Sequence, residues 1–345
     1  MGLLRKIYVE DIAMKIACFS VHEFERKYLE NWAKTLGLEI DLYKIQLGDE
    51  TIEIAKGYEV ISCWASDDLG AKNLHSLNES GLKMISLRSA GFSHLDVETA
   101  RKLNLVVARV PSYSPEAIAE HAFGLLMCLN RHYPKAFQRV KDFNFTLEGL
   151  EGVTLHGKTV GVIGIGLIGE AFARIMAGVG CKLLFHDVQK REDLANELGA
   201  QYVELKELLE SSDVVSLHCP LNDKTKYLLN QETLDLMKDG SFLLNTGRGG
   251  LIETQALIQN LKKDKIRGVG LDVYEYEEGV FFKDHSSLGI SDESLLRLMS
   301  FPKVLITSHQ AFFTEEALEN IAKISLENIA TYIKRDPLIV NNTLY

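Results

Sequence analysis

The sequence predicts an α/β protein of two doubly wound parallel-sheet domains with a cleft between them, and three observations carry that prediction. At 345 residues the chain exceeds the roughly 250–300 that a single core usually reaches, so two domains are expected. Short apolar runs alternate with helical patterns along most of it, the rhythm of parallel sheets. A glycine-rich turn, Gly164-Ile165-Gly166-Leu167-Ile168-Gly169, falls at mid-chain, which leaves room for another domain ahead of it.

The first strand-like run opens at Met14, and residues 1–13 are assigned no function. Strands are expected at Lys15–Phe19, Glu39–Tyr43, Glu59–Trp64, Lys83–Leu87 and Leu105–Val110, with helices such as Glu23–Leu36 and Val97–Leu103 between them. A boundary lies near Pro111-Ser112-Tyr113-Ser114-Pro115-Glu116. Ser114 suits an N-cap, Pro115 the first helical position and Glu116 an acidic first turn, so a long helix should run to about Arg131. The rhythm resumes at Lys158–Ile163, Lys182–His186, Val214–Leu217, Phe242–Asn245, Arg267–Leu271 and Val304–Thr307. A last helix opens at Thr314, with Leu318, Ile321, Ala322, Leu326, Ile329 and Ile333 on one apolar face; lying beyond the last strand, it packs back on the first domain. The expected domains are therefore a discontinuous one, 1–113 with 313–345, and an inserted one, 114–312.

The glycine turn has the context of a Rossmann-like dinucleotide site, a buried strand before it and a helix from Leu167 after it. Gly164 permits the tight turn, Gly166 removes the Cβ that would block a pyrophosphate, and Gly169 lets the helix lie close to the strand. Backbone N–H groups of Leu167 and Ile168 at the helix N-terminus suit the phosphates. Asp187, about 20 residues past the turn, suits a ribose 2′-OH and repels a 2′-phosphate, which favours NAD over NADP. Lys190 and Arg191 follow closely and could accept a phosphate instead.

Composition points to an enzyme of a reducing compartment. The net charge of −10 argues against nucleic acid or an anionic membrane as partner. Cys18, Cys63, Cys128, Cys181 and Cys219 have no C-x-x-C spacing and are expected as reduced thiols, with no metal site. No apolar run is long enough to cross a membrane and no signal-peptide core is present, so a cytoplasmic location is expected.

The chain resembles the D-isomer-specific 2-hydroxyacid dehydrogenases. The resemblance rests on Leu87-Arg88-Ser89-Ala90-Gly91-Phe92, on Val110-Pro111-Ser112-Tyr113-Ser114-Pro115-Glu116-Ala117-Ile118-Ala119-Glu120-His121, and on the glycine turn. It continues through His218-Cys219-Pro220-Leu221, Asn245-Thr246-Gly247-Arg248-Gly249, Gly270-Leu271-Asp272-Val273-Tyr274-Glu275 and Ser308-His309-Gln310-Ala311-Phe312. These blocks follow one order over nearly the whole chain from Met14. The implied fold pairs a flavodoxin-like substrate domain with the Rossmann-like NAD domain.

The chemistry can be argued beside the resemblance. Reducing a 2-oxo acid needs a fixed cation for the carboxylate and a proton donor for the developing alkoxide. Arg248 follows a strand in a glycine-flanked turn, and a guanidinium grips a carboxylate bidentately. His309 also follows a strand, and the ordinary histidine pKa of about 6.5 lets it give and take a proton near neutrality. Glu275 and Glu277 both stand near enough in sequence to the strand ending at Asp272 to support it. The resemblance picks Glu277 and leaves Glu275 and Glu278 as solvated acids. Backbone N–H groups around Ser89, Ala90 and Gly91 are expected to cradle the carboxylate, and Tyr113 to add a hydroxyl. The resemblance also assigns Thr246, Gly247, Arg248 and Asp272 to the nicotinamide end of NAD, and Cys219, Pro220 and Thr225 to its adenosine side.

Pyruvate is the leading expected substrate, because Ser308–Phe312 and Val280-Phe281-Phe282-Lys283-Asp284 resemble the fermentative D-lactate branch. Glyoxylate, hydroxypyruvate and branched oxo acids would share the machinery, since one methylene is worth only about 1–3 kcal/mol of discrimination. Some NADH-responsive corepressors share this fold, but no appended recruitment tail is evident here. The family commonly dimerises through the cofactor domain, so a homodimer or homotetramer is expected here, and Leu125, Leu126 and Met127 on the long helix are candidates for core or interface.

Overall fold

The computed structural model describes residues 14–334 and 342–345. Residues 1–13, to which the sequence assigns no function, lie outside the described residues. The chain forms two compact units: one ends at Ser114 and resumes at Thr314, and the other runs Pro115–Phe313.

The discontinuous unit carries a five-stranded parallel sheet among the described residues, with β1 (Ile16–Cys18), β2 (Ile40–Leu42), β3 (Val60–Cys63), β4 (Met84–Leu87) and β5 (Val106–Ala108) in the order β2-β1-β3-β4-β5. Successive residues of a strand point to opposite faces, so each strand feeds two cores. Ile16, Cys18, Val60 and Met84 pack on Leu29 and Ala33 of the helix Glu23–Leu36 and on Leu326 and Ile329 of the helix Glu315–Ile333. Ala17, Ile61, Ile85 and Val107 face Leu74 and Leu77 on the other side. Gly37, at φ 70°, closes the first helix in the left-handed region that glycine tolerates. The Thr314 side chain accepts from Ala317 N and caps the last. Near the C-terminus Leu344 N donates to Val107 O at 3.0 Å, an antiparallel addition to the β5 edge that the sequence did not suggest.

The inserted unit carries a seven-stranded parallel sheet among the described residues. Its strands are β6 (Thr159–Ile163), β7 (Lys182–His186), β8 (Gln201–Tyr202), β9 (Val214–Leu217), β10 (Phe242–Asn245), β11 (Gly268–Leu271) and β12 (Val304–Ile306), in the order β12-β11-β10-β9-β6-β7-β8. The chain works outward from β6 to β8 and then returns to β9 on the other side. Strand order thus reverses between β6 and β9, the place where doubly wound sheets bind ligands at the carboxyl ends of the strands. The helix Pro115–Asn130 lies in the core of this unit. Leu125 and Leu126 are buried with Val160, Phe172 and Leu244, and Met127 packs against them.

Candidate active site

The glycine turn occupies that reversal point. Gly164 has φ 92°, and a Cβ on it would stand 2.4 Å from Cys219 N, so only glycine lets β6 turn beside the end of β9. A Cβ on Gly169 would meet Gly164 O at 1.9 Å, whereas one on Gly166 would meet open space. Gly166 is the N-cap of the helix Leu167–Gly178, whose first N–H groups have no partner within the helix. Asp187 follows β7; its Oδ2 accepts from Ile165 N inside the turn and its Oδ1 from Gln189 N at 2.8 Å. Arg191 is engaged by Glu170. Thr246 Oγ1, just past the end of β10, is buried with no partner among the described residues. An open cradle at a helix N-terminus, an acid beside it and an orphaned hydroxyl fit a dinucleotide. Beyond β9, Thr225 Oγ1 donates to Pro220 O at 2.6 Å and so shapes the loop after Cys219. Burial pushes the Cys219 thiol up to about 11 and the neighbouring His218 down to about 3, so both are neutral.

Arg248 sits in a rigid turn after β10. Asn245 Nδ2 donates to Arg248 O at 2.9 Å and Asn245 Oδ1 accepts from Gly247 N at 3.1 Å, so one side chain clamps the turn from within. The guanidinium is exposed and makes a local bond to Gly247 O at 2.8 Å. Behind it, Gly249 packs on the Tyr274–Glu275 peptide so closely that a Cβ would meet Tyr274 C and O at 2.1 Å. The turn bearing Arg248 is therefore seated directly on the segment bearing the acids.

His309 Nδ1 lies 2.8 Å from Glu277 Oε1, and Glu277 Oε2 accepts from Tyr274 N at 3.0 Å. With Nδ1–H donated to the carboxylate, Nε2 is the nitrogen left for proton transfer. Glu275 is not the solvated acid expected from sequence. Its Oε1 accepts from Tyr227 Oη at 2.5 Å and its Oε2 from Thr254 N at 3.0 Å. Burial opposes its charge, but these bonds prevail and hold the carboxyl below its ordinary range. Two donors waiting on neighbouring segments explain the difference. Glu278 is exposed, in keeping with the expectation for it.

His309 has φ 54°, a conformation that costs a non-glycine residue of the order of 1–3 kcal/mol. Asp272 offsets it. Asp272 O accepts from His309 N at 2.7 Å, Oδ1 accepts from Gln310 N and from Thr307 Oγ1, and Oδ2 accepts from Ala311 N at 2.8 Å. Thr307 Oγ1 is also 3.0 Å from His121 Nε2 on the helix Pro115–Asn130. Asp272 is fully buried; burial opposes its charge, but its donors outweigh that and keep the carboxyl below its ordinary range. Assigned to the cofactor by resemblance, it also holds the loop that carries His309 with its carboxylate.

In the other unit Ser89, Ala90 and Gly91 follow β4. Ser89 Oγ donates to Gly91 O at 2.7 Å, Arg109 Nη1 donates to Ala90 O at 2.8 Å and Val110 N donates to Ser89 O at 3.2 Å, so the segment is fixed by its carbonyls. Its anchor is Arg88, fully buried and bonded to Glu25 through Nε at 3.1 Å and Nη2 at 3.3 Å. Tyr113 O accepts from Asn320 Nδ2 at 2.8 Å.

A family model described as the NAD binding domain of D-isomer specific 2-hydroxyacid dehydrogenases matches residues 123–311. A D-lactate dehydrogenase of Escherichia coli (strain K12) is 44% identical over 321 residues, covering 93% of this chain and 97% of that one. The chain belongs to the D-isomer-specific 2-hydroxyacid dehydrogenase family. Another member, 2-hydroxyacid dehydrogenase A of Aspergillus oryzae, is 45% identical over 93% of this chain and 92% of its own. Among solved structures of the family, D-lactate dehydrogenase from Aquifex aeolicus complexed with NAD and lactic acid aligns with a TM-score of 0.85 and 34% identity, covering 95% of this chain and 98% of that one. The cofactor is NAD. The described residues include no helix long and apolar enough to cross a membrane.

Several residues that shape the candidate site carry no assigned role in the sequence reading. Asn245 and His121 lay inside quoted motifs but were given no role, and Thr307 adjoins one. Tyr227 and Thr254 carried no motif signal, because their importance comes only from meeting Glu275.

Proposed function

We propose that the protein is an NAD-dependent D-lactate dehydrogenase that reversibly reduces pyruvate to D-lactate, with Arg248 orienting the substrate and His309 with Glu277 as the acid/base pair. The observation that carries this reading is the His309–Glu277 bond of 2.8 Å on a segment against which the Arg248 turn is packed. Arg248 grips the substrate carboxylate and polarises the carbonyl, and Ser89, Ala90, Gly91 and Tyr113 are assigned to substrate binding. Bound NADH supplies the hydride. His309, protonated at both nitrogens, gives its Nε2 proton to the carbonyl oxygen while Glu277 holds Nδ1–H and stabilises the imidazolium. In lactate oxidation neutral His309 takes the hydroxyl proton back through Nε2. Gly164, Gly166, Leu167, Ile168 and Gly169 hold the pyrophosphate, Asp187 the ribose, Cys219, Pro220 and Thr225 the adenosine side, and Thr246, Gly247 and Asp272 the nicotinamide end.

A cytoplasmic homodimer or homotetramer completes the proposal. All five cysteines are free, which suits a reducing compartment. Phe137, Phe143, Phe145 and Leu147 are 63%, 85%, 70% and 79% exposed, an apolar row suited to a second copy of the chain.

The test is NADH oxidation with pyruvate, compared with glyoxylate, hydroxypyruvate and branched 2-oxo acids, followed by NAD reduction with D- and L-lactate. Preference for pyruvate and D-lactate is expected, and no turnover with any short 2-oxo acid refutes the reading. Arg248→Gln should raise KM for pyruvate and lower kcat with NADH affinity intact. His309→Gln should cost on the order of 10²–10⁴-fold in kcat, the range of a general acid.

A further inference from the structure

The segment from Asp187 to Arg191 is tied to the glycine turn at both ends. Asp187 Oδ2 accepts from Ile165 N, and Arg191 Nη1 donates to Glu170 Oε2, on the residue that follows Gly169. Glu170 lies in the first turn of the helix Leu167–Gly178, its N–H donating to Gly166 O at 2.9 Å. Both the acid suited to a ribose 2′-OH and the base suited to a 2′-phosphate are therefore fixed around one turn, and they are treated differently. Among the described residues Asp187 is bonded by backbone N–H groups, which bring no counter-charge. Arg191 has its charge matched. Besides the Glu170 bond, its Nη2 is 3.6 Å from Asp193 Oδ2, and its backbone N–H donates to Tyr202 Oη at 2.8 Å. The other carboxylate oxygen of Glu170 takes Arg174 through Nε at 3.0 Å and Nη2 at 2.9 Å, and Arg174 passes on to Glu197 at 2.5 Å. Each arginine near the turn is thus occupied by acid.

We propose that Glu170 is a cofactor-specificity residue: by holding the Arg191 guanidinium it withholds from NADP the group that would bind its 2′-phosphate, and it so reinforces Asp187 in selecting NAD. Arginine–phosphate pairs are charge-assisted and often bidentate, so an unmasked guanidinium four residues past Asp187 would be a strong anion ligand. Asp193 is 77% exposed, and an exposed pair of that length does not hold Arg191 against a phosphate. Lys190 Nζ sits 5.6 Å from the centre of the Tyr202 ring and is not matched by an acid among the described residues; a lone flexible ammonium is the weaker phosphate ligand.

The inference rests on the cofactor assignment and not on the substrate, and the probes are chosen to keep the two apart. Calorimetric titration with 2′,5′-ADP and with 5′-AMP compares the same fragment with and without the 2′-phosphate. In Asp187→Ser the preference for 5′-AMP should fall. In Glu170→Gln/Asp187→Ser the affinity for 2′,5′-ADP should rise a further tenfold or so, about the worth of one hydrogen bond to a charged group, while 5′-AMP is unchanged. Adding Arg191→Leu to the double variant should remove that gain, and Arg191→Leu alone should leave 2′,5′-ADP binding at the wild-type level. No gain in the double variant overturns the proposal, and so does a gain that survives Arg191→Leu. If the double variant unfolds, Glu170→Gln alone carries the test, with a 2′,5′-ADP gain abolished by Arg191→Leu expected and none overturning it. Wild-type protein that binds neither NADH nor 5′-AMP overturns the cofactor assignment together with the proposal, whereas 5′-AMP binding without pyruvate turnover overturns only the substrate reading.

Discussion

Gly249→Ala tests whether the seating of the Arg248 turn matters to catalysis. The new methyl would lie 2.1 Å from Tyr274 C and O and 2.4 Å from Glu275 N, where ordinary contact begins at 3.4 Å. All three are backbone atoms of the segment leading to Glu277, so none can swing aside as a flexible side chain would. Turn and segment must separate by the difference, about 1.3 Å. A misplacement of about 1 Å in a positioning group costs on the order of 10²-fold, or roughly 2.7 kcal/mol of transition-state stabilisation. Pyruvate-dependent NADH oxidation should therefore show kcat/KM down about 100-fold, with NADH affinity by fluorescence titration near wild type. Gly250→Ala is the control, since its methyl would meet Leu221 Cδ2 at 3.1 Å, the movable end of a side chain. Gly249→Ala at wild-type kcat/KM, or an equal loss in Gly250→Ala, would refute the reasoning.

Two further outcomes follow from the buried groups. Thr307→Val removes the hydroxyl that bonds both His121 and Asp272 at nearly constant shape, leaving the longer 3.4 Å contact between those two; stability should fall by about 1–3 kcal/mol in urea titration and kcat by about tenfold, with Thr307→Ser restoring both. Burial depresses His218 to about 3 and His94 to about 4, so the unfolded chain, titrating near 6.5, binds more protons as pH falls. Their contribution is complete above pH 6.5 and is lost on acidification, by about 2 kcal/mol each at pH 5, so urea midpoints should drop between pH 7 and 5 and His218→Gln should flatten that slope.

The fold was legible where local pattern and tertiary need agree. The helix Glu23–Leu36 has acids in its first turn, one apolar face and Gly37 after it, and every signal marks the same span. β1 reads as a strand because Ile16 and Cys18 feed one core and Ala17 the other, which makes the whole run apolar. β8 was not legible: two residues, Gln201 and Tyr202, carry no period, and they are extended only because β7 presents an open edge. The bond from Leu344 to Val107 was hidden for the same reason, since its cause is a free strand edge far away in sequence.

The site divides in the same way, and Glu275 and Glu277 show why. Arg248 and His309 stand out in the sequence as candidates because each follows a recognisable strand and their chemistry is scarce. The two acids sit two residues apart on one turn, have the same chemistry and differ in nothing local. What separates them is where donors stand. Tyr227 Oη and Thr254 N, brought up by segments that precede β11, claim Glu275; Tyr274 N and His309 Nδ1–H claim Glu277. A half-buried carboxylate goes to the donors that can satisfy it, because leaving it unpaired costs more than any preference of the turn. Family resemblance selected Glu277 without that knowledge but left Glu275 idle, and so missed that the second acid ties the segment next to Arg248 to two other stretches of chain. Glu275→Gln should accordingly raise KM for pyruvate, because the turn loosens, while leaving intact the pH dependence of kcat that the proposed His309–Glu277 pair would set. A pH profile displaced in that variant would mean that Glu275 shares the proton chemistry after all.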